Sequence, residues 1–445
     1  MGLTKPIEQY LFSNLLIRIH VFMYLKDIIR GDKLMKIAIF IADSNGGYPV
    51  PAVKGGAVST LVEHLVEKNN ERQLAEMTVV SYYDKEAVEK AKKYPNIIFK
   101  WIKPPKIIKK MDDFSFFILK TFFKHQKALS FKNLWSLIYY IFKSASFLKS
   151  KEYDNVVLEN NIPMAWIIKM AKYEGKYFYH FHNVPRINAK VKSVFEKCTG
   201  YLCVSDYVAK QIESEDNPIG PIPKSKIKVL YNAVDMEQFE ANCKNRLQIR
   251  RKFSIKEKDK VVLFVGRLSE EKGIDKLFKA VKLLNNNVKI LVVGSYLHGS
   301  KEKDKYVEYI KKLANELENK VIFTGFISQK EVNRIYNAAD VAVLPSMWDE
   351  PAGLTMVEAM ASGVPVITTN SGGIPEYSGG YSVVLERNSE LEKNIAMHIE
   401  KVLEGKQKCL VSEAEKYVRK HFDTRDYLNN FMQCIEELMY VGVKK

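Results

Sequence analysis

The chain has 445 residues, 47% of them hydrophobic, which is too long for one typical domain and apolar enough to fill two ordinary cores. A formal net charge of +17 favours polyanions, anionic headgroups or phosphorylated substrates as partners without choosing among them. Cys198, Cys203, Cys243, Cys409 and Cys434 lack C-x-x-C or Cys/His spacing, so they argue against a disulfide framework or a zinc site and fit a reducing cytoplasm.

Tyr10 to Ile29 is apolar but interrupted by Arg18, His20 and Lys26. It is too charged for a membrane span and has no small-residue cleavage site, so residues 1–34 read as an amphipathic extension that packs on protein, is dispensable or touches lipid. From Met35 the pattern alternates. "MKIAIFIAD" reads as a buried strand, "STLVEHLVEKN" as a helix and "EMTVVSYY" as a second strand. That is βαβ order, which implies a parallel sheet.

Lys100 to Lys151 holds 12 lysines and many aromatics against only Asp112 and Asp113. It reads either as two ordinary helices with an aromatic core face, or as a surface facing anionic headgroups or a lipid-linked acceptor. Nucleic acid is the weakest reading. After a Pro-rich stretch around "PIGPIPKSKIKVLYNAVD" the βα pattern returns, from "KVVLFVGRL" to "VPVITT". Residues 423–439 then carry Tyr427, Leu428, Phe431, Met432, Ile435 and Leu438 at helical spacing. The expected organisation is an extension (1–34), a Rossmann-like domain (35–225), a second Rossmann-like domain (226–422) and a closing helix (423–445). The fold class is α/β, with two doubly wound parallel sheets facing across a cleft.

The chemistry concentrates in "VLPSMWDEPAGLTMVEAMASG". A buried strand turns at Asp349-Glu350-Pro351 and enters a helix near Leu354. The unpaired N–H groups around Gly353, Leu354 and Thr355 make a diphosphate site. Glu358, one turn further in, could accept hydrogen bonds from a ribose diol, and Glu350 could do so from sugar hydroxyls. Ligands of open α/β sheets bind at that strand edge.

Glu350 to Glu358 resembles the E-x7-E signature of retaining glycosyltransferases of family 4, which have the two-domain GT-B fold. The likeness extends from about Met35 to about Phe422. "GRLSEEKG" matches a second family pattern: the resemblance implies that Arg267 and Lys272, with Gly266 at the strand end, offset charge on the departing diphosphate. Taken alone, the two cations could equally pair with Glu270 or Glu271. Gly55-Gly56 occupies the place of the family loop that covers the donor diphosphate. "YFYHFHN" ends a strand where the family has a catalytic histidine. His182 fits better than His180, although alternation puts both on one face. Asn232 and Asp235 resemble the interdomain crossing, and Gly325-Phe326 the place where backbone groups hold the nucleobase.

There is no D-x-D, so the resemblance implies a metal-independent reaction with no cofactor besides the nucleotide-sugar. The absence of a Walker loop, G-x-G-x-x-G and G-x-S-x-G argues against a nucleotide hydrolase, an ordinary dehydrogenase and a serine hydrolase. The expectation is a retaining hexosyltransferase using a nucleotide-sugar, a UDP-sugar first. Its acceptor would be a lipid-linked sugar or oligosaccharide in capsule or exopolysaccharide assembly, at the inner membrane face. The rivals are a nucleotide-sugar epimerase of the same fold and a non-enzymatic basic binding protein. Donor, acceptor, linkage and oligomeric state are not legible in the sequence.

Overall fold

The computed structural model describes residues 34–42, 47–122, 132–284, 288–294, 305–318, 320–325, 327, 329–406 and 410–441. The extension expected at 1–34 therefore lies almost wholly outside the described residues. The first half runs β1 (Lys36–Ile41), α1 (Ala57–Arg72), β2 (Glu76–Tyr82), α2 (Lys85–Ala91), β3 (Ile98–Ile102), α3 (Lys106–Phe122), α4 (Leu134–Lys149), β4 (Asn155–Glu159), α5 (Ala165–Ala171), β5 (Lys176–Phe181), α6 (Lys192–Lys197), β6 (Gly200–Cys203), α7 (Asp206–Glu213) and β7 (Ile227–Val229). The second half runs α8 (Cys243–Lys252), β8 (Lys260–Val265), α9 (Ile274–Lys282), β9 (Val288–Val293), α10 (Lys305–Asn315), β10 (Val321–Gly325), α11 (Gln329–Tyr336), β11 (Val341–Leu344), α12 (Leu354–Ala361), β12 (Val366–Thr369), α13 (Ile374–Ser378), β13 (Val383–Leu385), α14 (Leu391–Leu403), α15 (Val411–His421) and α16 (Thr424–Val441).

Two wholly parallel sheets result, ordered β3-β2-β1-β4-β5-β6-β7 and β10-β9-β8-β11-β12-β13. Strands such as Val156–Leu158 and Val261–Leu263 are apolar without a break because helices cover both faces. This is the GT-B arrangement of two Rossmann-like domains. Strand β7 pairs with β6, so the first sheet extends past the expected division at 225/226. Helix α16 also belongs to the first domain. Its Tyr427, Leu428, Phe431, Ile435 and Leu438 are buried in one cluster with Leu61 and Leu65 of α1 and with Val157, Phe178 and Leu202 of the sheet. An apolar stripe of that length has to be covered, and the first domain presents the open face.

The chain therefore crosses between domains twice, and the crossings touch. Val234 N–H donates to the Phe422 carbonyl (2.8 Å) and Thr424 N–H to the Val234 carbonyl (3.2 Å). Beside them, α13 of the second domain grips the first. The Glu376 carboxylate accepts from the N–H groups of Asp206 and Tyr207, both at 2.7 Å, at the start of α7. The Tyr377 hydroxyl donates to the Val204 carbonyl (2.6 Å) and accepts from Asn232 N–H (2.9 Å). Asn232 thus serves the seam through its backbone. Asp235 caps its own turn by accepting from Glu237 N–H (3.1 Å).

The basic segment divides between the two readings. Leu137, Tyr140, Ile141, Ala145 and Leu148 of α4 are core, and the buried Asp112 carboxylate of α3 accepts from Trp135 N–H (2.8 Å) at the start of α4. The outward faces keep Ile107, Phe114, Phe117 and Phe142 at 59–70% exposure among exposed lysines.

Replacing the Glu376 carboxylate by Glu376→Ala leaves two helix-start N–H groups without their charged acceptor. The expected loss is about 1–2 kcal/mol, read as a lower urea midpoint for the full chain. A midpoint equal to wild type would show that this contact does not hold the seam.

Candidate active site

The site forms where the loops after β8, β11 and β12 leave the same edge of the second sheet. The loop after β8 passes through Gly266 and Arg267, makes a short turn at Glu270–Lys272 and enters α9 at Gly273. Gly273 has φ +65°, and a Cβ there would fall 2.1 Å from the Pro345 carbonyl oxygen, so only glycine lets this turn lie against the loop after β11. Met347 N–H then donates to the Glu271 carbonyl at 2.8 Å. At Gly372 (φ +57°), in the loop after β12, a Cβ would fall 2.4 Å from the Glu350 carbonyl oxygen, and Gly373 N–H donates to that oxygen at 2.7 Å.

This packing brings Lys272 and Glu350 together. The Lys272 ammonium pairs with Glu350 Oε1, which also accepts from Ser346 Oγ at 2.8 Å. Glu350 is 8% exposed, so its charge is largely removed from water and needs both partners. Arg267 is half-exposed and pairs with Glu271 at 3.3 Å. One cation is therefore sequestered and the other remains at the surface.

Gly353 caps α12, which has no side-chain cap. The Met356 and Val357 N–H groups bond back to the Gly353 carbonyl, while those of Leu354 and Thr355 precede the first possible intrahelical bond and stay available to an anion. Ala352 packs against the cores of both domains, which sets this loop at the seam. Glu358 lies one turn inside α12 and accepts from the Tyr336 hydroxyl at 2.7 Å. Burial raises its carboxyl to about 7, with the tyrosine bond acting the other way.

In the first domain Gly56 caps α1 with φ +99°, directly after Gly55. His182 follows β5 at the carboxyl edge of the first sheet, and its Nε2 lies 2.9 Å from Glu159 Oε2. Burial and the adjacent His180 hold its imidazole below the ordinary histidine range. His180 stands against the same carboxylate. Among the described residues no hydrogen bond or ion pair joins Gly55, Gly56 or His182 to Arg267, Lys272, Glu350 or Glu358. Phe326 lies outside the described residues. The sequence reading missed Ser346, Tyr336, Glu159 and Glu376; a carboxylate closing the strand "NVVLE" was the available signal for Glu159.

A family model for "Glycosyl transferases group 1" matches residues 245–421, the segment that carries the second-sheet site. Spore coat protein SA of Bacillus subtilis is 30% identical over 277 residues, 59% of this chain and 72% of that protein. The chain belongs to the group 1 glycosyl transferases. Another relative of this glycosyltransferase, the lipopolysaccharide 1,2-N-acetylglucosaminetransferase of Salmonella typhimurium, is 26% identical over 60% of this chain and 68% of its own length. The chain spans as little as 31% of the length of the curated relatives it matches, and 43% of the uncharacterized glycosyltransferase of Methanocaldococcus jannaschii. In fold it is similar to Anabaena HepE, crystallised with UDP-glucose, with a TM-score of 0.66 and 19% identity over 90% of this chain and 99% of that one.

The raised carboxyl of Glu358 makes a stability prediction. A buried acid raised above its unfolded value holds its proton more tightly when folded, so its folded form is favoured at low pH. That advantage is lost as pH rises from about 4.5 to about 7. Glu358→Gln removes the ionising group and should melt above wild type at pH 8 by a margin on the order of 2 kcal/mol, discounted for partial exposure of the residue. The margin should close near pH 5. Equal melting temperatures at both pH values would contradict the burial argument.

Proposed function

We propose that this glycosyltransferase transfers a sugar from a nucleotide-sugar, with retention of anomeric configuration and without a metal, to a lipid-linked or oligosaccharide acceptor in surface polysaccharide assembly. The observation that carries the donor part is the uncapped start of α12 at Gly353–Thr355 beside the Lys272–Glu350 pair. It puts free N–H groups, a cation and a carboxylate within one loop cluster. The donor diphosphate takes the α12 N-terminus, with Arg267 and Lys272 balancing its charge. Glu358 accepts from the ribose diol and Glu350 from sugar hydroxyls, while Gly55-Gly56 and His182 approach from the first domain. UDP is the favoured nucleotide, in line with the UDP-glucose held by HepE.

Among the described residues none stands out as a covalent nucleophile, which favours a same-face displacement. The bond from the acceptor oxygen to the anomeric carbon forms as the bond from that carbon to the diphosphate breaks, and the acceptor's proton passes to the departing phosphate oxygen. The Lys272–Glu350 pair gives each partner a second task. When phosphate draws on the ammonium, the carboxylate is freed to accept from sugar.

Incubation with labelled UDP-, GDP- and dTDP-sugars, with and without EDTA, tests this reading. Transfer from one donor, insensitive to EDTA, is expected, and Glu350→Ala and Glu358→Ala should each lower kcat/KM by roughly 10²-fold. Full turnover in both variants means the site lies elsewhere. Release of free sugar in place of transfer favours the epimerase reading.

The acceptor side rests on α3 and α4, whose exposed Ile107, Phe114, Phe117 and Phe142 stand among lysines and suit an anionic membrane face. No helix among the described residues is long and apolar enough to cross a membrane, so the contact would be peripheral. Flotation with anionic liposomes should carry the wild type, and Phe114→Ser/Phe117→Ser should lose most of that binding. Equal flotation of the variant, or none of the wild type, removes the membrane from the proposal.

A further inference from the structure

Strands β4 and β5 pair with Glu159 opposite His180, and His182 follows two residues later, so these three side chains leave one face of the first sheet together. They are 1%, 1% and 7% exposed. Glu159 Oε2 lies 2.9 Å from His182 Nε2 and 3.0 Å from His180 Nδ1, but only the first has the alignment of a hydrogen bond. The two imidazole rings are tilted against each other with centroids 4.1 Å apart. Among the described residues Glu159 Oε1, both nitrogens of His180 and Nδ1 of His182 have no hydrogen-bond partner. Tyr427 of α16 is buried within reach of the Glu159 charge, and its hydroxyl is also without a partner.

A carboxylate this deep is costly unless something donates to it. Burial alone would raise the Glu159 carboxyl; the neighbouring imidazoles outweigh it and hold the group below its ordinary value, as a carboxylate. A carboxylate only accepts, and a neutral imidazole carries one proton. The proton of His182 therefore sits on Nε2, since the other tautomer would set two lone pairs against each other at 2.9 Å. That leaves Nδ1 of His182 as a bare acceptor, itself enclosed by protein, just inside the strand edge where ligands of such sheets bind. We infer that Glu159 is the positioning residue for His182, fixing its Nε2–H tautomer so that Nδ1 accepts from a hydroxyl of the bound sugar. The last clause rests on the donor reading proposed above; the tautomer does not.

The same three side chains offer ligating atoms within 4.8 Å of one another, a spacing that invites comparison with a metal site. The 2.9 Å separation of His182 Nε2 from Glu159 Oε2 is that of a shared proton. Ligands on a tetrahedral ion bound at roughly 2.0–2.1 Å stand roughly 3.3 Å apart.

Nitrogen-15 NMR of the full chain, labelled in histidine and recorded at pH 7, reads the tautomer directly, with His182 assigned by its loss in His182→Gln. The wild type should show a protonated Nε2 and a bare Nδ1. His180→Phe and Glu159→Asp should keep that pattern, and Glu159→Gln should lose it, because its amide can donate to Nε2. In the transferase assay, Glu159→Gln should lower kcat roughly 10²-fold or more while donor KM changes less than about threefold. Three results overturn the inference: a protonated Nδ1 in the wild type, an unchanged pattern in Glu159→Gln, or stoichiometric metal in the purified protein whose chelation shifts the His182 signals. If the tautomer behaves as expected and no nucleotide-sugar is turned over, the donor reading fails and the Glu159–His182 pair stands. Should Glu159→Gln not fold, Glu159→Asp decides: the Nε2–H pattern is expected to persist there, and the opposite tautomer would overturn the inference.

Discussion

In a parallel sheet every strand is entered from one edge and left at the opposite one, so the loops that follow all the strands of one sheet gather at one side. Both sheets of this chain are wholly parallel, and nearly every residue of chemical interest sits in such a loop or in the first turn of the helix beyond it. Lys272 follows β8, Glu350 and Gly353 follow β11, Gly372 follows β12, and His182 follows β5. Glu350 can meet Lys272, 78 positions earlier, because β8 and β11 are neighbours in the sheet. Covalent closeness contributes nothing to that encounter; strand order does.

In the second domain Lys272 is paired with Glu350 and Arg267 with Glu271, and the start of α12 has no side-chain cap. A sequestered ammonium costs a carboxylate its freedom, so the two groups are best regarded as one unit whose partners are exchanged by an incoming anion. In the first domain the arrangement is reversed. Glu159 is the buried charge and its imidazole partner is neutral, which gives a fixed direction to a proton instead of a reserve of positive charge.

Much of this was legible in the sequence, for reasons that can be named. The alternation of apolar runs and 3.6-residue stripes gave two parallel α/β domains, because continuous burial on both faces leaves strands such as Val261–Leu263 without polar positions. Gly353 and Glu358 could be read because a helix start and its first turn are local. What was missed depends on register or on the seam. Glu159 looked like any strand-ending acid until its pairing with β5 set it opposite His180. Glu376 lies in a short helix whose partners, Asp206 and Tyr207, are 170 and 169 positions away. The division expected at 225/226 falls in a stretch that reads as prolines and a short strand, and which sheet that strand joins is a matter of register: it pairs with β6 as β7. Residues 423–439 read as an amphipathic helix, but periodicity does not name the surface that an apolar stripe will cover.

That last helix bears on how the molecule is made. The first sheet ends at Val229, while the residues that seal its open face, Tyr427 through Leu438, come some two hundred positions later. At ribosomal speeds of roughly 5–20 residues per second, the first domain waits on the order of 10 to 40 s for its own lid. During that interval Leu61, Leu65 and Phe178 lack the covering they have in the finished protein. The second domain can close without α16, so the part begun later is ready first, and the nascent chain is matured from its middle outward.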